Sequence, residues 1–454
     1  MKGTEKKEKR LFGTNGVRGV VGRDMTPELV MHIGMALASM RPGTIAVGRD
    51  TRTSGPAFAS AIKAGILSCG SNAVDLGVLP TPALQYVVKH HFDAGAVITA
   101  SHNPPEYNGV KVIEPDGTEM GDGETIALEE LLFEERFATV GWRKVGEARE
   151  APGMIAEYID AVVGKFPPGI GKGMCVVVDP GSGPATLTTP AILTAMGCRV
   201  FTVNAQMDGT FPGRLPEPSP EGLVLLSRMV EETGAAFGVA HDGDADRAVF
   251  VDEKGRYVEE NVEFALMQRH ICRKKPGIVV TPVSTSRLAE KIAGETGSRV
   301  VYTPVGSIYV ARTMLDLAAG GDKVVFGGEG NGGLIFPDHQ HCRDGGMTAA
   351  AMVHMMAETG KSLSELAGTL PRMVMIKEKI SADNPEGLLK MAKNRFSGED
   401  LDLVDGVRIN RQDSWALLRP SGTEPFMRLL VEAETEETAV AFCREVREAI
   451  GKGD

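Results

Sequence analysis

The sequence Ala94-Gly-Ala-Val-Ile-Thr-Ala-Ser-His-Asn-Pro-Pro105 joins an apolar stretch to a rigid loop. The first five residues predict a buried β-strand. The two prolines cannot continue a strand or open a helix, so the chain must turn there. Ser101 therefore lies at the exit of a strand, with His102 beside it and Lys111 ten residues later. This arrangement suits nucleophilic or phosphoryl chemistry, although an ordinary turn could carry the same residues.

An apolar strand, a polar loop, a helix and a second strand recur in this order three times, starting near residues 44, 174 and 277. Such alternation is typical of mixed or largely parallel sheets. The residues from 370 onward predict a smaller α+β domain. We therefore expect an α/β protein of three tandem, related, mixed-sheet domains followed by that smaller domain. The expected domains are 1–150, 151–252, 253–369 and 370–454.

Two local patterns near the N-terminus are also informative. Thr26-Pro27-Glu28 predicts the start of a helix that ends near Met40. The glycine-rich residues 11–19, which include Arg18, predict a loop or hairpin turn.

The composition excludes several classes of protein. The chain has 454 residues, 42% hydrophobic content and a net charge of −11 from 49 basic and 60 acidic residues. This charge gives no general reason to bind nucleic acid or an anionic membrane. No apolar run approaches the ~18 residues of a membrane span, and the charged N-terminus does not resemble a signal peptide.

The six cysteines are scattered and form no C-x-x-C pair. They predict reduced thiols and a cytoplasmic location. The chain is expected to be a monomer or a homo-oligomer.

The segment His241-Asp-Gly-Asp-Ala-Asp-Arg247 is the strongest chemical signal. In an extended loop, the carboxylates of Asp242, Asp244 and Asp246 would point to one side. Three carboxylates on one short segment suit Mg²⁺ or Ca²⁺. Strand-like stretches flank the segment, which disfavours a calcium-binding EF-hand. We favour Mg²⁺ over a solvated acidic turn and expect Arg247 to meet a phosphate beside the metal.

The segment Arg419-Pro-Ser-Gly-Thr-Glu-Pro-Phe-Met-Arg428 is the second signal. Its guanidinium groups, hydroxyls and glycine amides are the donors of a phosphate-binding loop, with a tight polar turn as the alternative. The sequence contains no G-x-x-x-x-G-K-[ST] motif, which disfavours a P-loop nucleotide enzyme.

The glycines Gly328, Gly330 and Gly333 satisfy the G-x-G-x-x-G pattern. The apolar residues 334–337 predict a strand instead of the helix that a dinucleotide site requires, so we discount that site. What remains is Glu329 and Asn331, which can hydrogen-bond vicinal sugar hydroxyls.

The next segment, residues 338–342, offers His339, His341 and Cys342 to zinc. It lacks a second group of ligands at a suitable spacing. We therefore expect an ordinary surface loop.

Four motifs together resemble those of the α-D-phosphohexomutase superfamily. They are Thr-Ala-Ser-His-Asn-Pro at 99–104, Asp-Gly-Asp-Ala-Asp-Arg at 242–247, Gly-Glu-x-Asn-Gly at 328–332 and Arg-Pro-Ser-Gly-Thr-Glu-Pro at 419–425. Their order and spacing cover nearly the whole chain. The opening Phe12-Gly-Thr-Asn-Gly-Val-Arg-Gly19 looks most like the phosphoglucosamine mutase branch, to which phosphomannomutase/phosphoglucomutase enzymes are similar.

The resemblance implies four domains around a central cleft. It also implies that Ser101 is a phosphoserine whose phosphoryl oxygen completes a site for one Mg²⁺ per chain with Asp242, Asp244 and Asp246. The other implied site residues are His102, Lys111, Arg247 and Arg18 at the catalytic centre, Glu329 and Asn331 at the sugar, and Arg419, Ser421, Gly422, Thr423 and Arg428 at the phosphate that does not react.

The implied activity interconverts glucosamine 6-phosphate and glucosamine 1-phosphate. The phosphoserine would donate its group to give a hexosamine 1,6-bisphosphate, which also serves as the activator. Phosphomannomutase or phosphoglucomutase activity is the alternative of the same class. A non-catalytic sugar-phosphate binding protein is the alternative of another class.

The sugar loop departs from the pattern of the superfamily. It has the sequence Gly-Glu-Gly-Asn-Gly-Gly where many relatives have Gly-Glu-x-Ser-Gly-His. Asn331 replaces the serine and Gly333 replaces the histidine. This departure leaves the preferred substrate more open than the mechanism.

Overall fold

A computed structural model of the chain describes residues 9–420 and 426–451. Its contacts divide the chain into two compact units. The first unit holds the described residues up to Glu263 together with Asn331–Ala367. The second unit holds Phe264–Gly330 and the described residues from Gly368 onward.

The first sheet of the first unit has six strands in the order β1-β5-β4-β2-β3-β6. Strands β2, β3, β4 and β6 run parallel, whereas β5 is antiparallel to both β4 and β1. Its elements are β1 (Val17–Val20), α1 (Pro27–Met40), β2 (Thr44–Arg49), α2 (Gly55–Ser68), β3 (Asn72–Val78), α3 (Thr81–His91), β4 (Ala94–Ile98), β5 (Tyr107–Ile113), α4 (Asp122–Phe133) and β6 (Ala148–Glu150).

Local signals account for the elements that begin this sheet. Helix α1 starts where the sequence predicted, because the Thr26 side chain accepts a hydrogen bond from the Leu29 amide and Pro27 opens the first turn. Every residue of β4 is buried, as expected for a parallel strand covered on both faces. The predicted loop at residues 11–19 is wrong in part, since Val17–Val20 pairs with β5 as strand β1.

The second sheet has the order β11-β10-β9-β7-β8 and also lies in the first unit. Strand β7 is parallel to β8 and β9, and β10 is antiparallel to β9 and β11. Its elements are α5 (Ile155–Val163), β7 (Cys175–Asp179), α6 (Thr189–Ala195), β8 (Arg199–Thr202), α7 (Val224–Thr233), β9 (Phe237–His241), β10 (Ala248–Asp252) and β11 (Tyr257–Val258).

The third group of strands belongs to the second unit and places β12 between β13 and β14, all parallel. Helix α8 (Glu260–Lys274) leads into it across the boundary between the units. Its other elements are β12 (Ile278–Pro282), α9 (Leu288–Thr296), β13 (Arg299–Thr303), α10 (Ser307–Ala319) and β14 (Val324–Glu329). The chain then supplies β15 (Gly333–Ile335), α11 (Gly345–Thr359) and α12 (Leu363–Ala367) to the first unit.

The last sheet is antiparallel throughout, in the order β16-β20-β19-β18-β17, and packs against helices α13 and α14. Residues such as Ile409, Leu418, Val431 and Phe442 form its core. Its elements are β16 (Val374–Ser381), α13 (Pro385–Arg395), β17 (Asp400–Asp402), β18 (Val407–Asn410), β19 (Ser414–Pro420), β20 (Phe426–Ala433) and α14 (Glu436–Ala449).

The three parallel cores share one arrangement. In each, the first strand lies in the centre, the second lies on one side and the third on the other, giving β4-β2-β3, β9-β7-β8 and β14-β12-β13. This common order confirms the expected fold class of three related α/β domains followed by a smaller α+β domain.

Two further expectations concern the cysteine thiols and the possibility of a membrane-spanning helix. All six cysteines are free thiols, and only Cys175 among them is not fully buried. Among the helices within residues 9–420 and 426–451, none combines the length and the apolar character needed to cross a membrane.

Candidate active site

Ser101 lies on the loop that follows β4, as the sequence predicted. Its side chain is buried and its backbone is left-handed at φ 50°, which is uncommon for a residue with a side chain. The Ser101 amide donates to Thr99 Oγ1 at 2.9 Å, and the Asn103 amide donates to the Ala100 carbonyl at 3.1 Å. These bonds hold the loop in a tight turn that directs the Ser101 hydroxyl towards Asp242.

Arg52, which follows the neighbouring strand β2, holds the same loop. Its Nη1 donates to the carbonyls of Pro104 and Tyr107 at 2.6 and 2.8 Å. Its Nη2 donates to the carbonyls of Ser101 and Asn103 at 2.8 and 2.6 Å. The planar guanidinium group thus donates to four backbone carbonyls of one loop at once.

A carboxylate holds Arg52 in turn. Asp50 Oδ2 accepts from Arg52 Nε at 3.1 Å and from Thr99 Oγ1 at 2.7 Å, and both Asp50 and Arg52 are fully buried. Burial raises the pKa of Asp50, whereas the charge of Arg52 opposes that rise. The residue pair therefore ties the end of β2 to the end of β4.

The aspartate segment forms the turn between antiparallel strands β9 and β10. The carboxylates of Asp242, Asp244 and Asp246 are buried, and one oxygen of each lies within 4.8 Å of the others. The expected extended loop is wrong, because the segment turns through a left-handed Ala245 at φ 59°. The turn still brings the three carboxylates together, and the flanking strands are not the helices of an EF-hand.

The Ser101 loop and the aspartate turn are in direct contact. Ser101 Oγ donates to Asp242 Oδ2 at 2.9 Å. The backbone of Gly243 packs so closely that a Cβ added there would lie 2.3 Å from the Ser101 carbonyl oxygen. Two segments about 140 residues apart in sequence therefore build one centre.

Lys111, on β5, reaches the other two aspartates. Its Nζ donates to Asp244 Oδ2 at 2.7 Å and to Asp246 Oδ2 at 2.9 Å, and its side chain is 1% exposed. Thr81 Oγ1 also donates to Asp244 Oδ2, at 2.6 Å. Burial by itself would lower the pKa of Lys111, but the charges of Asp244 and Asp246 raise it, so Lys111 remains a cation.

His102 and Arg247 meet beside Ser101. Arg247 Nη2 lies 3.2 Å from His102 Nδ1, and a guanidinium group can only donate, so Nδ1 is the acceptor. Burial and the charges of Arg247 and Arg18 lower the pKa of His102 to about 3, so the ring is neutral at neutral pH. Arg18 Nη1 donates to Asn103 Oδ1 at 3.3 Å and thus reaches the same loop.

The donor set of the aspartate cluster fits a divalent cation. Asp244 Oδ1 and Asp246 Oδ1 are buried and accept no hydrogen bond from the described residues. Burial and the charges of Asp246 and Asp244 raise the pKa of Asp242 to about 8. Buried carboxylate oxygens that accept no hydrogen bond are costly, and hard oxygen ligands suit Mg²⁺.

The expected sugar loop lies between β14 and β15. Glu329 ends β14 and is 6% exposed, whereas Asn331 is half-buried. Asn331 Oδ1 accepts from the Gly333 amide at 3.1 Å, which shapes the turn. Strand β15 begins at Gly333 and includes Leu334 and Ile335, which confirms the predicted strand in part of residues 334–337.

Two of the five residues predicted to bind phosphate lie within the described part of the chain. Arg419 on β19 and Arg428 on β20 are direct partners across the strand pair, and Arg419 Nη2 pairs with Asp405 Oδ2 at 3.1 Å. Both arginines therefore flank the segment between the strands. The predicted residues Ser421, Gly422 and Thr423 lie outside the described residues.

The expected surface loop at residues 338–342 is wrong. His339, Gln340 and Cys342 are each at most 6% exposed. His339 stacks on Tyr86 of α3 with 5.2 Å between ring centroids. Within the described part of the chain, His339, His341 and Cys342 do not come together as a metal-binding group.

Three residues in contact with the site were missed by the sequence analysis. Arg52 and Thr81 follow β2 and β3, which run parallel to β4 in the order β4-β2-β3, so the shared sheet edge is a signal that could have indicated them. Arg343 pairs with Asp246 through Nη2 and Oδ2, and no local pattern indicated it.

Four family models match the chain in sequence order. They describe the phosphoglucomutase/phosphomannomutase alpha/beta/alpha domain I at residues 9–139, domain II at 156–255 and domain III at 259–373, and the C-terminal domain at 375–449. The motif loops at 99–104, 242–247 and 328–332 fall in the first three, and the 419–425 loop falls in the last.

Curated relatives match over nearly their full length. A phosphoglucomutase/phosphomannomutase of Thermococcus kodakarensis is 43% identical and covers 95% of this chain and 96% of the relative. A "Probable phosphoglucosamine mutase" of Methanopyrus kandleri is 40% identical, with 97% and 96% covered. A phosphoglucosamine/phosphogalactosamine mutase of Sulfurisphaera tokodaii is 36% identical, with 97% and 99% covered.

A solved structure agrees with these relatives. The phosphoglucomutase/phosphomannomutase family protein of Burkholderia thailandensis superposes with a TM-score of 0.86 at 25% identity, over 97% of this chain and 98% of that chain. The chain therefore belongs to the phosphoglucomutase/phosphomannomutase family, and its enzyme class is that of the phosphohexomutases, which are isomerases.

Proposed function

We propose that the chain interconverts glucosamine 6-phosphate and glucosamine 1-phosphate through a phosphorylated Ser101. The observation that carries the phosphoryl chemistry is the contact of 2.9 Å between Ser101 Oγ and Asp242 in a buried cluster of three aspartates. The choice of sugar is supported by relatives named as phosphoglucosamine mutases and by the opening motif at residues 12–19.

The forward step transfers a phosphoryl group from Ser101 to a free sugar hydroxyl. The bond between Ser101 Oγ and phosphorus breaks, a bond from the sugar oxygen to phosphorus forms, the hydroxyl loses its proton and Ser101 Oγ gains one. The product is a hexosamine 1,6-bisphosphate, and its other phosphate returns to Ser101 in the second step. Such chemistry depends mainly on positioning and on neutralising negative charge.

The cationic side chains around Ser101 could neutralise the negative charge of a phosphoryl group. Lys111 and Arg247 lie beside the aspartates and Arg18 contacts the serine loop, so a phosphoryl group on Ser101 would meet positive charge on several sides. His102 is neutral, with Nδ1 accepting from Arg247. We assign it a secondary part, orienting Arg247 instead of removing a proton from Ser101.

Asp242, Asp244 and Asp246 would hold one Mg²⁺ together with a phosphoryl oxygen on Ser101. The ion would neutralise charge that develops on the transferring phosphoryl oxygens. The unsatisfied Asp244 and Asp246 oxygens support this assignment. We expect chelation with EDTA to abolish turnover, and turnover that persists unchanged in EDTA would contradict the assignment.

The remaining predicted residues complete the proposal. Glu329 and Asn331 would contact the sugar hydroxyls. Arg419, Ser421, Gly422, Thr423 and Arg428 would bind the phosphate that does not react. The domain ranges 1–150, 151–252, 253–369 and 370–454, the bisphosphate activator and the cytoplasmic location also stand as proposals.

A second candidate is phosphoglucomutase or phosphomannomutase activity, which the name of the Thermococcus kodakarensis relative favours. Rates measured side by side on glucosamine, glucose and mannose 6-phosphates, each with a catalytic amount of hexose bisphosphate, distinguish the two. We expect the highest kcat/KM with glucosamine 6-phosphate. Negligible turnover of that substrate beside rapid turnover of another would overturn the proposal.

A further inference from the structure

Arg343 reaches the aspartate cluster from a segment outside the four sequence motifs. It lies between β15 and α11, and its backbone forms an antiparallel bridge with Ile335. The next residues continue along the aspartate turn, where the Gly345 amide donates to the Ala245 carbonyl at 3.2 Å. Arg343 is thus held by backbone bonds on both sides of its position.

The Arg343 side chain ends on a carboxylate of the cluster. Its Nη2 donates to Asp246 Oδ2, and both side chains are 2% exposed. Lys111 Nζ donates to the same oxygen at 2.9 Å. Two cations therefore occupy one oxygen of Asp246, while Oδ1 accepts no hydrogen bond from the described residues. One oxygen of Asp246 is thus restrained by two donors, whereas the other is in a longer ion pair with Arg247 Nε, at 4.0 Å.

Gly333 provides the space for this side chain. A Cβ added at Gly333 would lie 2.3 Å from Arg343 Cδ and 3.1 Å from Arg343 Cγ. Any residue other than glycine at this position would therefore collide with the middle of the arginine. Gly333 is also one of the two positions, with Asn331, at which the sugar loop departs from the pattern that the resemblance implies.

We propose that Arg343 is a positioning residue that orients Asp246 for the metal, and that Gly333 is required because the Arg343 side chain passes across it. The glycine at position 333 and the arginine at position 343 then depend on each other, because the arginine fits only where position 333 has no side chain. The inference rests on the proposed metal site, since Arg343 acts on that site through Asp246. Removing a group that hydrogen-bonds a metal-binding carboxylate commonly lowers metal affinity or activity by about 10–100-fold.

The test is a set of Mn²⁺ titrations by calorimetry on the full chain, with phosphorylation checked by intact mass. We expect Arg343→Ala to weaken Mn²⁺ binding about tenfold or more, and Arg343→Lys to recover part of the loss. Gly333→Ala should weaken binding similarly, because the added carbon displaces the arginine. The double variant should bind no more weakly than Arg343→Ala alone, since both changes remove the same interaction.

Two matched controls separate this effect from general damage. Gly123→Ala places a carbon at a helical glycine of α4 that has open space around it. Arg149→Ala removes an arginine whose side chain is 70% exposed. Both should bind Mn²⁺ as the wild type does. If Gly333→Ala unfolds while the double variant folds, the collision with Arg343 is supported directly.

The possible failures are distinguishable. A wild-type chain that binds no Mn²⁺ would overturn the proposed metal site and this inference with it. Wild-type affinity in Gly333→Ala or in Arg343→Ala would overturn the inference alone, and so would a double variant whose loss is the product of the two single losses.

Discussion

At the scale of single residues, Ser101 has a strained backbone conformation, with φ at 50°. A side-chain-bearing residue in the left-handed region costs of order 1–3 kcal/mol. Here the cost is offset by contacts of the same residue: its amide to Thr99, its carbonyl to Arg52 and its hydroxyl to Asp242. The strained backbone therefore fixes the direction of the hydroxyl, as the proposed role of Ser101 in preorganised catalysis requires.

The first prediction concerns the phosphorylation of Ser101. We expect the native chain to contain a species about 80 Da heavier than the sequence mass, from one phosphoryl group. Ser101→Ala should lose that species and reduce turnover to background, because it removes the hydroxyl that contacts Asp242. Intact-mass spectrometry measures the first effect and a coupled assay the second. A heavier species that survives in Ser101→Ala would place the phosphate on another residue.

At the scale of elements, the ends of β2 and β4 act as one unit through Arg52. A lysine at position 52 keeps the charge but cannot donate to four carbonyls at once. We expect Arg52→Lys to lower kcat by about tenfold to a hundredfold, since small displacements of a reacting group are costly. Amide hydrogen exchange should rise across residues 100–107 of the Ser101 loop.

The control for Arg52 is Arg23→Lys, which alters a surface arginine paired with Asp24. It should leave both kcat and the exchange of residues 100–107 unchanged. Exchange at the wild-type rate in Arg52→Lys would show that Arg52 does not restrain the loop.

Local patterns were sufficient to predict some elements and insufficient for others. Helix α1 is predicted by its N-cap threonine and the proline that follows, and strand β4 is predicted by its apolar run. Both are local signals. Strand β1 was missed because its glycine-rich sequence forms a strand only by pairing with β5. Arg343 was missed because its contact with Asp246 spans 97 residues and is set by the tertiary fold.

A second element-scale prediction uses the contact of Glu253 with the start of α12. The Glu253 carboxylate accepts hydrogen bonds from the side chains of Ser362 and Ser364 and from the Ser364 amide. Partial burial would raise the pKa of Glu253, but these bonds outweigh it and lower the pKa from 4.5 to about 2. Because the folded pKa is depressed, the stabilisation is full above the unfolded value and is lost as the pH falls from about 4.5 through about 2.

We therefore expect Glu253→Gln to destabilise the fold at pH 7 by about 1 kcal/mol, which is below the usual value for a charged hydrogen bond because solvent screens this partly exposed carboxylate. The difference from the wild type should shrink as the pH approaches 3. Thermal unfolding midpoints between pH 7 and pH 3 measure it. Glu147→Gln, at a carboxylate that is 71% exposed, is the control and should show little change at any pH. A deficit for Glu253→Gln that stays constant over this range would refute the assignment.

At the scale of the whole molecule, the three related parallel cores use the same position for chemistry. The Ser101 loop follows β4, the aspartate turn follows β9, and Glu329 ends β14. These strands are the third parallel strand of each core. Since the carboxyl ends of parallel strands are where such sheets carry ligand sites, the proposed phosphate carrier, the proposed metal ligands and the predicted sugar contact all occupy the same position within their own sheets. The arrangement of the domains around a central cleft stays a prediction.

The two tryptophans give a probe for each compact unit. Trp142, in the first unit, is 81% exposed, whereas Trp415, in the second, is fully buried and donates from its indole nitrogen to Glu432 Oε2 at 2.7 Å. We expect Trp142→Phe to remove the emission that acrylamide quenches readily and to shift the remaining spectrum to shorter wavelength. That variant would then follow the unfolding of the second unit alone through Trp415. If acrylamide quenches the emission of Trp142→Phe as easily as that of the wild type, Trp415 is not buried in the apolar cluster that it forms with Val283 and Leu417.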